Sequence, residues 1–294
     1  MATKIAMCVG QNYYAEQTLV TPLRGCVNDA LLIGEMLRMA GFQEVRQIHN
    51  EPATQEGILR RLAVEIAKLR EGDYFVFWNS SHGYQVQDRN YDELVDGLDE
   101  AICSYDTDPR NPLTDDKFAK ILVRAHPKAF LFFGSDSCHS GSLTRGALKE
   151  MKKNDRTPRL WLPPDDILFR TGRPTIDLGA YIKDFKGRKV TQPPLRRFGF
   201  LARSEEDMQH LLLSGCKAEE VSWDAKFPQG HHGAMTYNFV QAVLKAWHDG
   251  KAITYREAHQ ATLDGLEKDR FDQNPQLEGP DHLKDAPVFG FVPR

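Results

Sequence analysis

Long apolar runs are missing from this sequence. No stretch approaches the roughly 18 to 20 residues that a membrane-spanning helix needs, and the opening MATKIAMCVG is too short and too soon interrupted for a secretory signal. Cysteine is scarce as well. Cys8, Cys26, Cys103, Cys138 and Cys216 are odd in number, widely scattered and without a C-x-x-C pair. That speaks against a disulfide framework or a zinc site and leaves room for a working thiol in a reducing compartment. Charge of one sign is not in excess either: 38 Lys and Arg stand against 41 Asp and Glu, a formal net charge of -3, with no basic block. Nucleic acid and membrane are therefore not expected partners, and the expected location is the cytoplasm.

What is present is enough for a full α/β core, with 294 residues of which 41% are hydrophobic. KIAMCVG reads as a buried strand that begins almost at once, so no prodomain is expected. NDALLIGEMLRMAGF reads as a helix with Leu31, Leu32, Met36 and Met39 on its apolar stripe and Gly41 as its stop. EVRQIHN is a second strand. TQEGILRRLAVEIAKLREGD opens on a Thr54 cap, carries Ile58, Leu59, Leu62, Ile66 and Leu69 on one face and stops near Gly72. A strand YFVFWNSS, a helix within TDDKFAKILVRA and a strand KAFLFFGSDS follow. This alternation predicts a largely parallel sheet covered on both faces.

Ligands of such sheets sit beyond the carboxyl ends of the strands. Two polar clusters fall there: NSSHG after YFVFW, and SDSCHSG after KAFLFF. His82 and Cys138 thus leave two strands at one edge, separated by an interval close to the roughly 50 residues found between histidine and cysteine in caspase-type proteases. A lone strand-end cysteine is usually a small buried hydrophobe; a His-Gly and an Asp-x-Cys in matched positions argue for chemistry instead. A thiol with the ordinary pKa of about 8.5 is a poor nucleophile at neutral pH, but a neighbouring imidazole raises its thiolate fraction and later protonates the leaving amine. Cys138 is then the nucleophile and His82 the general acid and base. His139 lies next to the thiol in sequence but follows the nucleophile and turns away.

The ordered series LRGCVNDA, SSHG, DGLDE, LTDD, DSCHSG, LLLSGCKAEEVSWDA, GAMTYNFVQAV and QNPQLEG resembles the metacaspases and their prokaryotic relatives, the orthocaspases. The resemblance implies the three-layer αβα caspase-haemoglobinase fold with a mostly parallel central sheet. It divides the chain into a large catalytic part at 1–148, a connector at 149–197 and a small part at 198–294 that completes the same domain. It implies an oxyanion hole from the backbone amides of Gly83 and Cys138. It also maps a substrate pocket onto Cys26, Asp29, Ser80 and Asp136, whose two carboxylates suit an Arg or Lys side chain. The expected substrates are proteins or peptides cut after Arg or Lys, and the expected state is a monomer.

Many metacaspases are switched on by calcium. Three of the acids involved map onto Asp99, Asp115 and Asp116, while the fourth position is Arg145, a cation where the ion would sit. Calcium dependence is accordingly in doubt, and Thr114-Asp-Asp doubles as an ordinary helix start. Ser81 replaces the glycine more common before the histidine, which predicts tuning. Self-cleavage in the connector is also implied, with Lys149, Lys152, Lys153, Arg156 and Arg159 as candidate sites. Two other readings stay open: a catalytically weak caspase-like scaffold or regulator, and a small-molecule thiol enzyme on the same sheet edge.

Overall fold

The structure, a computed structural model, describes residues 2–15, 20–87, 98–138, 155–163, 205–217 and 220–293. In chain order it begins with β1 (Lys4–Gly10), α1 (Cys26–Met39), β2 (Glu44–His49), α2 (Gln55–Ile66) and β3 (Tyr74–Ser80). There follow β4 (Gly83–Gln87), β5 (Leu98–Ile102), β6 (Leu113–Thr114), α3 (Asp115–Leu122), β7 (Phe130–Asp136) and β8 (Thr157–Pro158). The last stretch contains β9 (His210–Ser214), β10 (Trp223–Phe227), β11 (Gly230–Gly233), α4 (Ala234–His248), α5 (Tyr255–Lys268), β12 (Gln276–Glu278) and α6 (Asp281–Lys284).

Six strands form the central sheet in the order β12-β9-β7-β3-β1-β2, all parallel except β12. Its inner strands β1, β3 and β7 are apolar on both faces, and successive side chains point to opposite sides. Ala6, Cys8, Val76, Trp78 and Phe132 therefore pack under α1, α4 and α5 with Ile33, Leu37, Phe239, Val243 and Tyr255. Ile5, Met7, Val9, Phe75, Phe77 and Phe133 pack under α2 and α3 with Ile58, Leu62, Ile66, Phe118 and Leu122. Each fully buried side chain of this size contributes about 1.5 to 3 kcal/mol, and these two layers fix the sheet between the helices. The expected three-layer αβα architecture is present.

Three details depart from the sequence reading. In α1 the buried residues are Ala30, Ile33, Met36 and Leu37, while Leu31 and Met39 are exposed. Of the expected stripe Met36 is buried and Leu32 half-buried, and the real face adds small Ala30 and Gly34, the latter against Gln47 and Val45 of β2. Helix α2 starts on the Thr54 cap as predicted, with Thr54 Oγ1 accepting the Gly57 amide at 3.1 Å, but ends at Ile66, before Leu69. Two three-stranded sheets, β4-β5-β6 and β11-β10-β8, were not foreseen. Thr157 and Pro158, inside the span expected to be irregular connector, form β8 and pair antiparallel with Asp224 and Trp223. Lys149, Lys152 and Lys153 lie outside the described residues, as do His139 and Arg145.

Candidate active site

The register of the central sheet brings the predicted pair to one edge. Ser80 at the end of β3 stands opposite Asp136 at the end of β7, so His82 and Cys138 each emerge two residues beyond matched positions. Both are buried. The His82 amide donates to the Tyr14 hydroxyl at 3.0 Å, and Nε2 of the ring lies 2.7 Å from Thr21 O. A carbonyl only accepts, so the ring proton is on Nε2 and Nδ1 carries the free lone pair. Among the described residues Nδ1 has no hydrogen-bond partner. Burial lowers the His82 pKa to about 4; the bond to Thr21 opposes this and the Arg159 charge adds to it. The ring is therefore a neutral base at neutral pH. Cys138 Sγ donates to Glu220 O at 3.0 Å. Ser81 has a local task, taking a hydrogen bond from Asn79 at 3.0 Å and donating to His82 O at 2.8 Å.

Beside this pair lies a buried acidic pocket built from four elements. Asp29 in α1 accepts the Gly233 amide at 3.0 Å and faces His232 Nδ1 at 3.0 Å. Asp136 accepts the Thr236 amide at 2.9 Å and the Thr236 hydroxyl at 2.6 Å, and also the Ser222 hydroxyl. Thr236 is in the first turn of α4, so this carboxylate caps the helix from outside, where exposed amides and the helix dipole favour negative charge. Asp224, from β10, accepts the Gly25 amide at 2.8 Å and the Arg24 amide at 3.2 Å. Sequence reasoning missed Asp224; an acid between Trp223 and Ala225 was the available signal. Cys26 starts α1 beside the pocket, its thiol pKa pushed well up by burial. Ser80 Oγ is turned to Trp78 Nε1 at 3.3 Å, and no contact between it and the pocket's occupant is seen among the described residues.

That occupant is Arg159, fully buried. Its Nη2 lies 2.7 Å from Asp29 Oδ2 and 3.4 Å from Asp224 Oδ2, and its Nη1 lies 3.4 Å from Asp136 Oδ2. Nη1 also donates to Asp136 O at 3.0 Å. Burial alone works against this charge, yet the pKa of Arg159 is raised; with Cys26 protonated, the three carboxylates hold the cation. The main chain is held as firmly. Arg159 N donates to Ser222 O at 2.9 Å, and Arg159 O accepts from Gly83 N at 2.9 Å and from Cys138 N at 3.2 Å. The two amides expected to form an oxyanion hole thus converge on the carbonyl of the Arg159–Leu160 peptide. Beyond it, Leu160 bridges Gly83 in parallel, Trp161 N donates to Gly83 O at 2.9 Å, and the Trp161 ring packs edge-on against Tyr84 at 4.9 Å.

Asp99 lies on β5 and is buried; Asp115 and Asp116 open α3, with Asp115 Oδ1 accepting the Asp116 amide at 3.0 Å. Among the described residues no group of three or more His, Cys, Asp or Glu is arranged to hold a metal ion. No helix among the described residues is long and apolar enough to cross a membrane.

A sequence model of the caspase domain family matches residues 3–286. Metacaspase-1 of Meyerozyma guilliermondii is 28% identical over 93% of this chain and 68% of its own length. Metacaspase-1 of Saccharomyces cerevisiae is 25% identical and is covered over only 65% of its length. Metacaspase-9 of Arabidopsis thaliana is 28% identical, with 96% of this chain and 95% of that protein aligned. Among solved structures, a protein from Geobacter sulfurreducens superposes with a TM-score of 0.66 at 26% identity over 99% of both chains. Caspase-1 from Spodoptera frugiperda gives 0.54 at 11% identity, covering 95% of this chain and 87% of that one, a likeness of fold.

Proposed function

Because this chain belongs to the caspase domain family of cysteine-type peptidases, we propose that it is an endopeptidase that cleaves after Arg or Lys through Cys138 and His82, and that its own Arg159–Leu160 bond is its first substrate. One observation carries the reading: the guanidinium of Arg159 lies among Asp29, Asp136 and Asp224 while its carbonyl accepts from Gly83 N and Cys138 N. Side chain and carbonyl of one residue occupy a cation pocket and an oxyanion hole together, as a substrate must.

The chemistry follows from these groups. His82 Nδ1 takes the thiol proton, and the sulfur attacks the Arg159 carbonyl carbon. The Gly83 and Cys138 amides bear the negative oxygen, and such donors are worth about 2.7 to 4 kcal/mol each in related oxyanion holes. The C–N bond to Leu160 breaks as the imidazolium returns the proton to the leaving amine, and a thioester remains. Water adds to the thioester with its proton passing to His82, and the thiolate leaves. Thr21 O fixes the ring so that Nδ1 does this work. In the intact chain Cys138 Sγ donates to Glu220 O, so that bond is exchanged for one to His82 before attack. Arg is favoured over Lys because its planar fork reaches several carboxylates at once.

Mass spectrometry of the purified chain incubated at neutral pH tests this. The expected products are two fragments that meet between Arg159 and Leu160, absent in Cys138→Ala and in Arg159→Ala. Fragments that persist in Cys138→Ala, or cleavage after Asp, overturn the reading.

A further inference from the structure

Three residues before Arg159, a second guanidinium is held in a place of its own. Arg156 Cζ stands 3.7 Å from the centroid of the Phe271 ring. Its Nη1 donates to Arg270 O at 2.9 Å and its Nη2 to Asp269 O at 3.1 Å. The two carbonyls come from the turn that ends α5: Asp269 is the capping residue, and Arg270 has a φ of 60, the left-handed conformation that reverses the chain there. Carbonyls at a helix C-terminus carry partial negative charge and favour a cation. The ring is backed by Phe227, stacked 5.9 Å away, which in turn stacks on Tyr237 at 4.0 Å. An open cavity of about 490 Å³ borders the site, lined by Arg156 itself together with Lys226, Phe227, Tyr237, Asp269 and Phe271.

The spacing ties this place to the cleavage site. Thr157 and Pro158 lie extended on β10, so a bound segment presents its side chains at fixed intervals and the residue three before the cleaved bond's arginine reaches Phe271. We propose that Phe271 with the Asp269 and Arg270 carbonyls is a substrate subsite for a second guanidinium, so that the enzyme prefers Arg-x-x-Arg ahead of the cleaved bond. This rests on the endopeptidase reading above. An aromatic face plus two acceptors in the plane of the fork matches arginine; a lysine ammonium offers a point charge to the same ring and cannot span both carbonyls in plane.

Fluorogenic peptides of the form X-Thr-Pro-Arg, with X as Arg, Lys, Ala or Glu, given to the full chain, test the proposal. Arg at X should raise kcat/KM roughly 10- to 100-fold over Ala, the scale of one cation–π contact and two charge-assisted hydrogen bonds, with Lys between and Glu lowest. Phe271→Ala should bring the Arg to Ala ratio toward one, and Phe271→Tyr should keep it. In the chain itself, Arg156→Ala should slow cleavage at Arg159–Leu160 by a similar factor. Equal kcat/KM for all four peptides, with the final Arg still required, would overturn the subsite and leave the endopeptidase reading standing. No turnover of any peptide together with no self-cleavage overturns both.

Discussion

Asp29, Asp136 and Asp224 share one guanidinium but not equally. Asp29 approaches it to 2.7 Å, Asp224 only to 3.4 Å. Burial also pushes the Asp224 carboxyl up, with Arg159 and the Gly25 and Arg24 amides pulling it only partly back. Asp29→Asn should therefore lower kcat/KM for an Arg peptide by about 2 to 5 kcal/mol of transition-state stabilisation, the scale for unpairing a buried charge, and Asp224→Asn by clearly less. Steady-state kinetics on the two variants give the order directly, and the reverse order would contradict the assigned distances. The buried imidazoles make a separate prediction. His82 is lowered to about 4 and His210, edge-on against Phe133, to about 3, both by burial. The unfolded chain takes up these protons near pH 6.5 and the folded chain only well below it. Stability is thus full above pH 6.5 and falls as pH drops toward 4, by about 2 kcal/mol per ring between pH 7 and pH 5. Urea unfolding at those two pH values should show the loss, and His82→Asn should remove one ring's share. His82 and Cys138 were legible in the sequence because they follow strand ends that apolar runs locate, whereas Asp29 and Asp136 came only from the resemblance to metacaspases. Asp224 was not legible, and Arg159 stood only as one of several basic residues in the connector, because the pairing of β8 with β10 that brings the two together is stated by no local pattern.

Among the elements, α4 and the pocket are one construction. Its first turn donates the Thr236 amide to Asp136, and the residue before the helix, Gly233, donates its amide to Asp29. A methyl group on Gly233 would run into Asp136 Oδ2 and Arg159 Nη1. Gly233→Ala should consequently expel the Arg159 side chain, reducing self-cleavage by at least tenfold, since about 1.4 kcal/mol of misplacement suffices for that factor. A time course of fragment formation measures it, and wild-type rates in this variant would show that the pocket yields. Parallel strands β1, β3 and β7 were readable as continuous apolar runs, whereas β9, parallel to β7, went unread. Strands β4, β5, β6, β8 and β10 were not readable either, because they are short and their apolar residues carry no period of their own, and β8 in addition pairs with β10 across a long sequence separation. The exposed Leu31 and Met39 show the same limit within a helix: where small residues make the contact, the large apolar ones need not face the core.

For the whole molecule, the fully buried Arg159 has a further consequence. A ligand that belongs to the same chain is never diluted. Its local concentration at the pocket is set by covalent connection, in the millimolar range for short tethers, and not by how much protein the solution holds. The Arg159–Leu160 cut should then follow first-order kinetics with one half-life at nanomolar and micromolar chain, whereas cutting of one copy by another would slow in proportion to dilution. Fragment yield against time across a hundredfold dilution distinguishes the two. On the proposed reading a foreign protein bearing an arginine competes against this resident, and peptides well below that local concentration should go uncut while it stays seated. The buried arginine would thereby set a threshold that belongs to each molecule separately.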